Sequence, residues 1–235
     1  MRWDVAVSRL RMMTYNVKGL YLDVDAVVEV VTEQAPDVLG LQEPPRGLLG
    51  RRRLADLAER TGLGVVVGHG PARTTALLVR PGLRVEEARA RALPWRIGQV
   101  RRGYSVARVE GLLVVVLHLP LGSPERLMHL DLVLHDVAAA PRPHVVMGDL
   151  NERPGGPVWT RLQVGLRDAV ESAAPTFTAR RPRRRLDAVL VSPDVRVTGS
   201  AIVSGDHTRR GSDHLPIVVD LDVPSAADGA PVPAT

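Results

Sequence analysis

The sequence predicts a mixed α/β fold, and three observations carry that prediction. Apolar runs of strand length alternate with stretches whose apolar residues recur at helical spacing. Some of these runs are separated by a helical stretch, which permits parallel pairing, while Glu110-Gly111 between two others is a hairpin signal. Polar residues collect at the strand ends: Asn16, Glu43, His118, Asp149, Asn151, Asp187, Asp213 and His214 each lie within or at the rim of an apolar stretch. Parallel and antiparallel pairings are therefore expected together, with the loops of one sheet edge gathering those side chains.

Taken in order, LRMMTY from Leu10 to Tyr15 reads as a buried strand, broken by Asn16 and Gly19. Asp23 to Ala35 has apolar residues at helical spacing, an Asp at its start and Pro36 to stop it. Asp37 to Glu43 is the next strand, ended by Pro44 and Pro45. RRRLADLAERTG predicts a second helix closed by glycine, followed by the strands GVVVG and TALLVR and the more polar LRVEEARARAL. YSVARVE and GLLVVVLHL flank the hairpin signal, and the second ends at His118. Ser123 as a cap, with Pro124 at the first helical position, opens a helix reaching about Ala139.

The stretch VVMGDLNERP then runs from apolar residues through Gly148 into Asp149, Leu150 and Asn151. In an extended backbone alternate residues share a face, so Asp149 and Asn151 would point together into a cleft while Leu150 points to the core. Gly148 reads as room for close approach, and the Pro-Gly-Gly-Pro loop as a rim. There follow a short helix around PVWTRL, the arginine run Arg180 to Arg185, the strand RLDAVLVS, a strand around VRVTGSAIV, a polar loop and SDHLPIVVDLDV. Residues 1–223 are expected to form one domain, and the Pro-, Ala-, Gly- and Ser-rich end from Pro224 to Thr235 a disordered tail.

Composition narrows the function classes. Aromatic residues make up 3% of the 235 residues, so Val, Leu and Ala must fill the core. The net charge of +5 is carried by arginine, with Lys18 the only lysine. Guanidinium groups suit bidentate contact with phosphate oxygens, although arginine on a surface also serves simply to solvate it. With no cysteine, a disulfide framework and a thiolate metal site are excluded, and any metal must be held by oxygen or imidazole. No stretch reads as a signal peptide or membrane span, which predicts a soluble cytoplasmic protein.

Singly, an Asp or Asn after a strand is an ordinary turn former, and a His there an ordinary packing residue. As a set, carboxylates, amides and imidazoles at repeated strand ends suit a hard cation and a phosphate, because Mg²⁺ takes oxygen ligands and keeps several waters. Phosphoester hydrolysis needs a cation for the phosphoryl oxygens, a group to position water, and a donor for the developing charge.

Six motifs, MTYNVKGL, DVLGLQEP, VVVLHLPLG, VVMGDLNERP, RRLDAVLVS and GSDHLPIVVDL, occur in an order that resembles the endonuclease/exonuclease/phosphatase superfamily of DNase I-like, metal-dependent phosphoesterases. The resemblance covers roughly residues 10 to 222. It implies an α/β (α+β) four-layer sandwich of two mixed β-sheets flanked by helices, DNase I-like, with Mg²⁺ or Mn²⁺ as cofactor. It implies Glu43, Asn16 and Asp213 as metal-site residues, with Glu43 a direct ligand and Asn16 also able to meet substrate. It implies Asp149 to orient or deprotonate water, Asn151 to contact phosphate and water, His214 as the catalytic imidazole, Asp187 as its paired carboxylate, and His118 as a phosphate contact. Two departures stand out. Lys18 lies where DNA-repair members carry an acidic residue, so its role is either solvation or a phosphate contact. The segment PARTTALLVR lacks the carboxylate that secreted members pair with the His at the position of His118.

The resemblance fixes the reaction better than the substrate. The leading expectation is a divalent-metal-dependent phosphodiesterase, a nuclease acting on DNA as a monomer, with Arg185 and its neighbours clamping successive phosphates. The alternative is a phosphatase or a phospholipid phosphodiesterase on the same site. A third is a catalytically silent phosphate-binding module.

Overall fold

Two six-stranded sheets face each other in the structure, a computed structural model that describes residues 7–172 and 174–224. The chain begins with strand β1 (Val7–Asn16), helix α1 (Val24–Gln34), β2 (Val38–Gln42), α2 (Gly50–Arg60), β3 (Gly64–Gly68) and β4 (Thr75–Val79). It crosses to the second sheet with β5 (Val85–Ala92), β6 (Gly103–Val109), β7 (Leu112–His118), α3 (Ser123–Ala138), β8 (His144–Asp149), α4 (Pro157–Leu162), β9 (Arg167–Asp168) and β10 (Asp187–Val191). It returns with β11 (Arg196–Ile202), α5 (Asp206–Gly211) and β12 (Ile217–Pro224). The strand orders are β11-β12-β1-β2-β4-β3 and β5-β6-β7-β8-β10-β9. Both sheets are mixed, with β1 and β2 parallel, β7 and β8 parallel, and the remaining pairs antiparallel.

The uniformly apolar strands follow from burial on both faces. In β7, Val114 and Val116 enter the core between the sheets, while Leu113, Val115 and Leu117 pack in the cluster that includes Leu130 and Val133 of α3 and Trp159 of α4. In β2, Val38 faces inward, and Leu39 and Leu41 pack with Val27 and Val30 of α1 and Leu54 and Leu57 of α2. Each such side chain contributes about 1.5–3 kcal/mol of burial. At Gly40 a Cβ would stand 2.7 Å from Met147 Cε and 2.8 Å from Val116 Cγ2, so the sheets meet there too closely for any side chain.

Three details differ from the sequence reading. The polar loop before β12 contains α5, whose residues DHTRRG show no apolar face. Gly122, not Ser123, is the N-cap of α3, and Ser123 is already helical with Pro124 in the first turn. The two-residue β9 carries no strand pattern and exists only by pairing with β10. Pro224 closes β12, and the tail expected to be disordered otherwise lies outside the described residues.

Topology alone places one edge of the sandwich. The parallel pairs β1/β2 and β7/β8 bring the ends Asn16, Gln42, His118 and Asp149 to that edge, where Asn16 registers with Gln42 and His118 with Asp149. β10 runs antiparallel to β8 and so starts there, with Asp187 opposite Asp149. β12 runs antiparallel to β1, with Ile217 opposite Thr14, and the segment preceding it therefore arrives at the same edge.

Candidate active site

Asp149 lies at the centre of this edge. It is flanked in the sheet by His118 on one side and Asp187 on the other, and its side chain is almost fully buried. Asp149 Oδ2 accepts from Asn16 Nδ2 at 3.1 Å and lies 3.6 Å from His118 Nε2 and 3.8 Å from His214 Nε2. The same Asn16 amide donates to Glu43 Oε1 at 3.3 Å, and His118 Nε2 is 3.9 Å from that oxygen. Asn16 thus holds two carboxylates from opposite sheets beside one another. His214 Nδ1 meets Asp187 Oδ2 at 2.9 Å, which presents Nε2 toward Asp149.

Local backbone explains why these side chains converge. Gly148 has φ 142°, and a Cβ there would stand 1.9 Å from Leu117 O, so only glycine lets β8 press against β7 just before Asp149. The pairing of Asp149 and Asn151 does not arise from strand alternation. Asn151 has φ 50°, and its N–H donates to Asp149 Oδ1 at 2.8 Å, a side-chain turn that ends the strand. The Asn151 amide donates to Leu119 O at 2.8 Å, which locks this turn to the end of β7. Leu150 packs into the core as expected. Glu43 is likewise left-handed at φ 51°, which turns the chain out of β2.

Burial and charge set the protonation states. Burial works against a charge on His214, but the charge and hydrogen bond of Asp187, with Asp149 and Asp213 nearby, outweigh it and raise the pKa to about 9. Burial, then the positive charges of Arg102, His214 and Arg46, push His118 well below the ordinary histidine range. The site therefore pairs one imidazolium with one neutral imidazole. Burial and the charge of Asp187 raise Asp149 above the usual carboxylate range.

Asp149, Asp187 and His214 offer ligand atoms within 4.8 Å of one another, all on buried residues. Asp187 Oδ1 is buried with no hydrogen-bond partner, and Asp149 resists ionisation there. These are the marks of a site with surplus negative charge, and its carboxylate oxygens fit a hard divalent cation, whereas His214 as an imidazolium has no lone pair to offer. Glu43 and Asn16 stand on the opposite side of Asp149. Asp213 does not point a free carboxylate into this group, because its Oδ2 accepts from Lys18 Nζ at 2.7 Å.

Arg185 is not brought to the cleft. Its guanidinium donates to Asp168 Oδ1 at 2.8 Å and to Ser172 O, and lies over the buried Trp159 ring. Its neighbours fare differently: Arg184 is exposed, with its guanidinium 4.7 Å from the Phe177 ring centre, and Phe177 packs 4.8 Å from the His214 ring. Phe177, Thr178, Arg181, Arg183 and Arg184 line a pocket of about 300 Å³ there.

Several supporting residues escaped the sequence reading. Ser212 Oγ donates to Asn16 O at 2.6 Å and accepts from His214 N–H, tying β1 to the His214 segment. Thr176 Oγ1 accepts the N–H groups of Leu186 and Asp187 and so positions the carboxylate that holds His214. Arg102 donates to His118 O at 3.0 Å. Ser212 adjoins Asp213-His214 and could have been found from that adjacency, whereas Thr176 and Arg102 are isolated in sequence. The peptide of Thr74, not a carboxylate, faces the His118 ring from the segment PARTTALLVR.

Two sheets in this order, helices on both outer faces and a carboxylate–imidazole centre at one edge define a DNase I-like phosphoesterase fold. The profile of the Endonuclease/Exonuclease/phosphatase family matches residues 13–214, and the chain belongs to that family of phosphoester hydrolases. The family is in general dependent on divalent metal. No curated protein matches the chain. Among solved structures, the endonuclease/exonuclease/phosphatase from Bacteroides vulgatus superposes with a TM-score of 0.75 at 18% identity, covering 92% of this chain and 99% of that one. A mannosyl-6-phosphatase of Bacteroides thetaiotaomicron VPI-5482 gives 0.73 at 19%, covering 90% and 99%. D. rerio TDP2 complexed with a single-strand DNA product gives 0.68 at 21%, covering 91% and 99%.

Proposed function

We propose that this chain is a Mg²⁺- or Mn²⁺-dependent phosphodiesterase and, more narrowly, a nuclease acting on DNA. The observation that carries the reading is a cationic His214, held by Asp187 against Asp149, opening beside a pocket lined with Arg181, Arg183 and Arg184. A divalent cation supplies charge neutralisation at the phosphoryl oxygens, and Glu43, Asn16 and the Asp149–Asp187 pair are the groups to hold it. Asp149 orients and accepts a proton from the attacking water, its carboxylate form being favoured once positive charge stands beside it. Imidazolium His214 donates toward the phosphoester oxygen that gains charge, and Asp187 fixes its tautomer. Neutral His118 and the Asn151 turn shape the opposite wall. The arginines give phosphates on either side of the cleaved bond somewhere to bind, which a monoester would not need. The same fold carries a phosphatase in one relative and a protein holding a DNA product in another, so it is compatible with either substrate class.

A phosphatase or phospholipid phosphodiesterase is the second reading. Leu48 and Leu121, 103% and 77% exposed on the loops that leave β2 and β7 at the site edge, favour an amphiphilic substrate. The deciding experiment is a panel of plasmid, single-stranded DNA, RNA, phosphoinositide, sphingomyelin and sugar phosphate with Mg²⁺, Mn²⁺ or chelator. DNA cleavage that requires metal and falls by about 10²–10⁴ in Asp149→Asn or His214→Gln is expected. Activity that survives chelator or either variant overturns the reading, and phosphate or phosphocholine release without DNA cleavage selects the second. Replacing Arg183 and Arg184 by Ala is expected to weaken DNA binding and lower its salt slope by about 1 per phosphate contact removed.

A further inference from the structure

Among 31 Lys and Arg residues Lys18 is the one lysine, and its placement is fixed at both ends. Its backbone takes φ 46° and Gly19 follows at φ 68°, a left-handed turn straight out of β1. The Lys18 N–H donates to Asn16 Oδ1 at 3.1 Å, which leaves Asn16 Nδ2 for Glu43 and Asp149. The ammonium donates to Asp213 Oδ2 at 2.7 Å, and the two side chains are 42% and 30% exposed. The turn itself is held by main-chain N–H groups, Lys18 on Asn16 Oδ1 and Gly19 on Glu43 O, and a partly exposed ion pair adds little stability, so stability alone does not account for the ammonium here. An ammonium has three donors and Asp213 uses one, so the others remain for a ligand in the cleft.

We propose that Lys18 is a built-in cation of this site: Asp213 holds its ammonium to receive a non-bridging oxygen of the bound phosphoester, and the pairing withdraws Asp213 from the metal-ligand set. The site then takes one divalent ion, held by Glu43, Asn16 and the Asp149–Asp187 pair, instead of two. This deepens the phosphoesterase reading and rests on it. Lysine suits the task as a compact point charge with freely rotating donors, which the planar guanidinium of the otherwise universal arginine does not reproduce.

The test is equilibrium binding with no turnover. Calorimetric titration of the intact protein with Mn²⁺ should give one ion per chain, and Lys18→Asp, which places a second carboxylate beside Asp213, should give two. With Mn²⁺ saturating, Lys18→Met should bind inorganic phosphate about tenfold or more weakly, the loss expected for one charge-assisted contact. Lys18→Arg, which keeps the charge without the compact geometry, should recover only part of the affinity that Lys18→Met loses, and thermal unfolding identifies any variant that fails to fold. Two Mn²⁺ ions in the parent protein, or phosphate bound equally well by Lys18→Met, overturns the proposal. One ion and Lys18-dependent phosphate binding in a protein that cleaves no nucleic acid would leave the proposal standing and remove the nuclease reading. Two ions with metal-dependent cleavage would do the reverse.

Discussion

At the scale of the residue, His214 and Asp187 show how position sets chemistry. Their atoms are 2.9 Å apart on buried side chains, and the imidazole pKa rises from an ordinary 6.5 to about 9 because the charge and hydrogen bond of Asp187, joined by the charges of Asp149 and Asp213, together outweigh burial. Since the folded pKa lies above the unfolded one, the stabilisation from protonated His214 is complete below about pH 6.5 and is lost as pH rises through about 9. Metal-free protein should therefore lose unfolding free energy across that window, and Asp187→Asn should flatten the loss. Resonances of His214 followed by NMR should titrate near 9 in the parent and fall toward or below 6.5 in Asp187→Asn, where burial dominates. An unchanged titration in the variant would show that Asp187 does not control the imidazole. His118, Asp149, Asp187 and His214 were legible as polar strand ends; that Arg185 belongs to Asp168 and Trp159 was not, because the five arginines between positions 180 and 185 look alike until packing separates them.

Elements impose a different constraint, which is how closely two strands can approach. β7 and β8 are parallel neighbours whose ends carry His118 and Asp149, and Gly148 lets them meet with Leu117 O where a Cβ would sit. Gly148→Ala is expected to cost about 3 kcal/mol or more, from backbone strain and overpacking together, as read from urea unfolding. It should also reduce activity, since Asp149 is the next residue. A variant as stable as the parent would mean that β8 relaxes without cost. The strands and long helices were readable because apolar runs and helical spacing are local signals. β9 and α5 were not: a two-residue strand exists only through its partner, and DHTRRG carries no apolar face, whereas the equally short α4 shows Val158, Trp159 and Leu162.

For the molecule as a whole, the site is a seam between two sheets. Asn16 and Glu43 come from one, His118, Asp149 and Asp187 from the other, and His214 from the segment that returns to the first. A cation binding this seam should stabilise the folded chain by mass action, about 2.7 kcal/mol at 100 times its dissociation constant. For a chain of this size that corresponds to an unfolding midpoint raised by roughly 5–10 °C with Mn²⁺, returned to its starting value by chelator. Glu43→Gln should reduce the shift while leaving the metal-free midpoint near that of the parent, because Glu43 is partly exposed. A midpoint indifferent to Mn²⁺ in the parent would argue against a folded-state metal site at the seam.

By itself the sequence determined the fold class, the succession of most elements and the residue types that collect at strand ends, since each is written in local periodicity and in short motifs. Only the tertiary structure decided which of those residues meet. Asp149 touches Asn16 across 133 positions of chain and Lys18 reaches Asp213 across 195, and such contacts depend on parallel registers and on two sheets closing over one core. It also decided that Asn151 reaches its place through a turn made with Asp149, because φ at that residue answers to the hydrogen bonds around it rather than to the strand pattern before it.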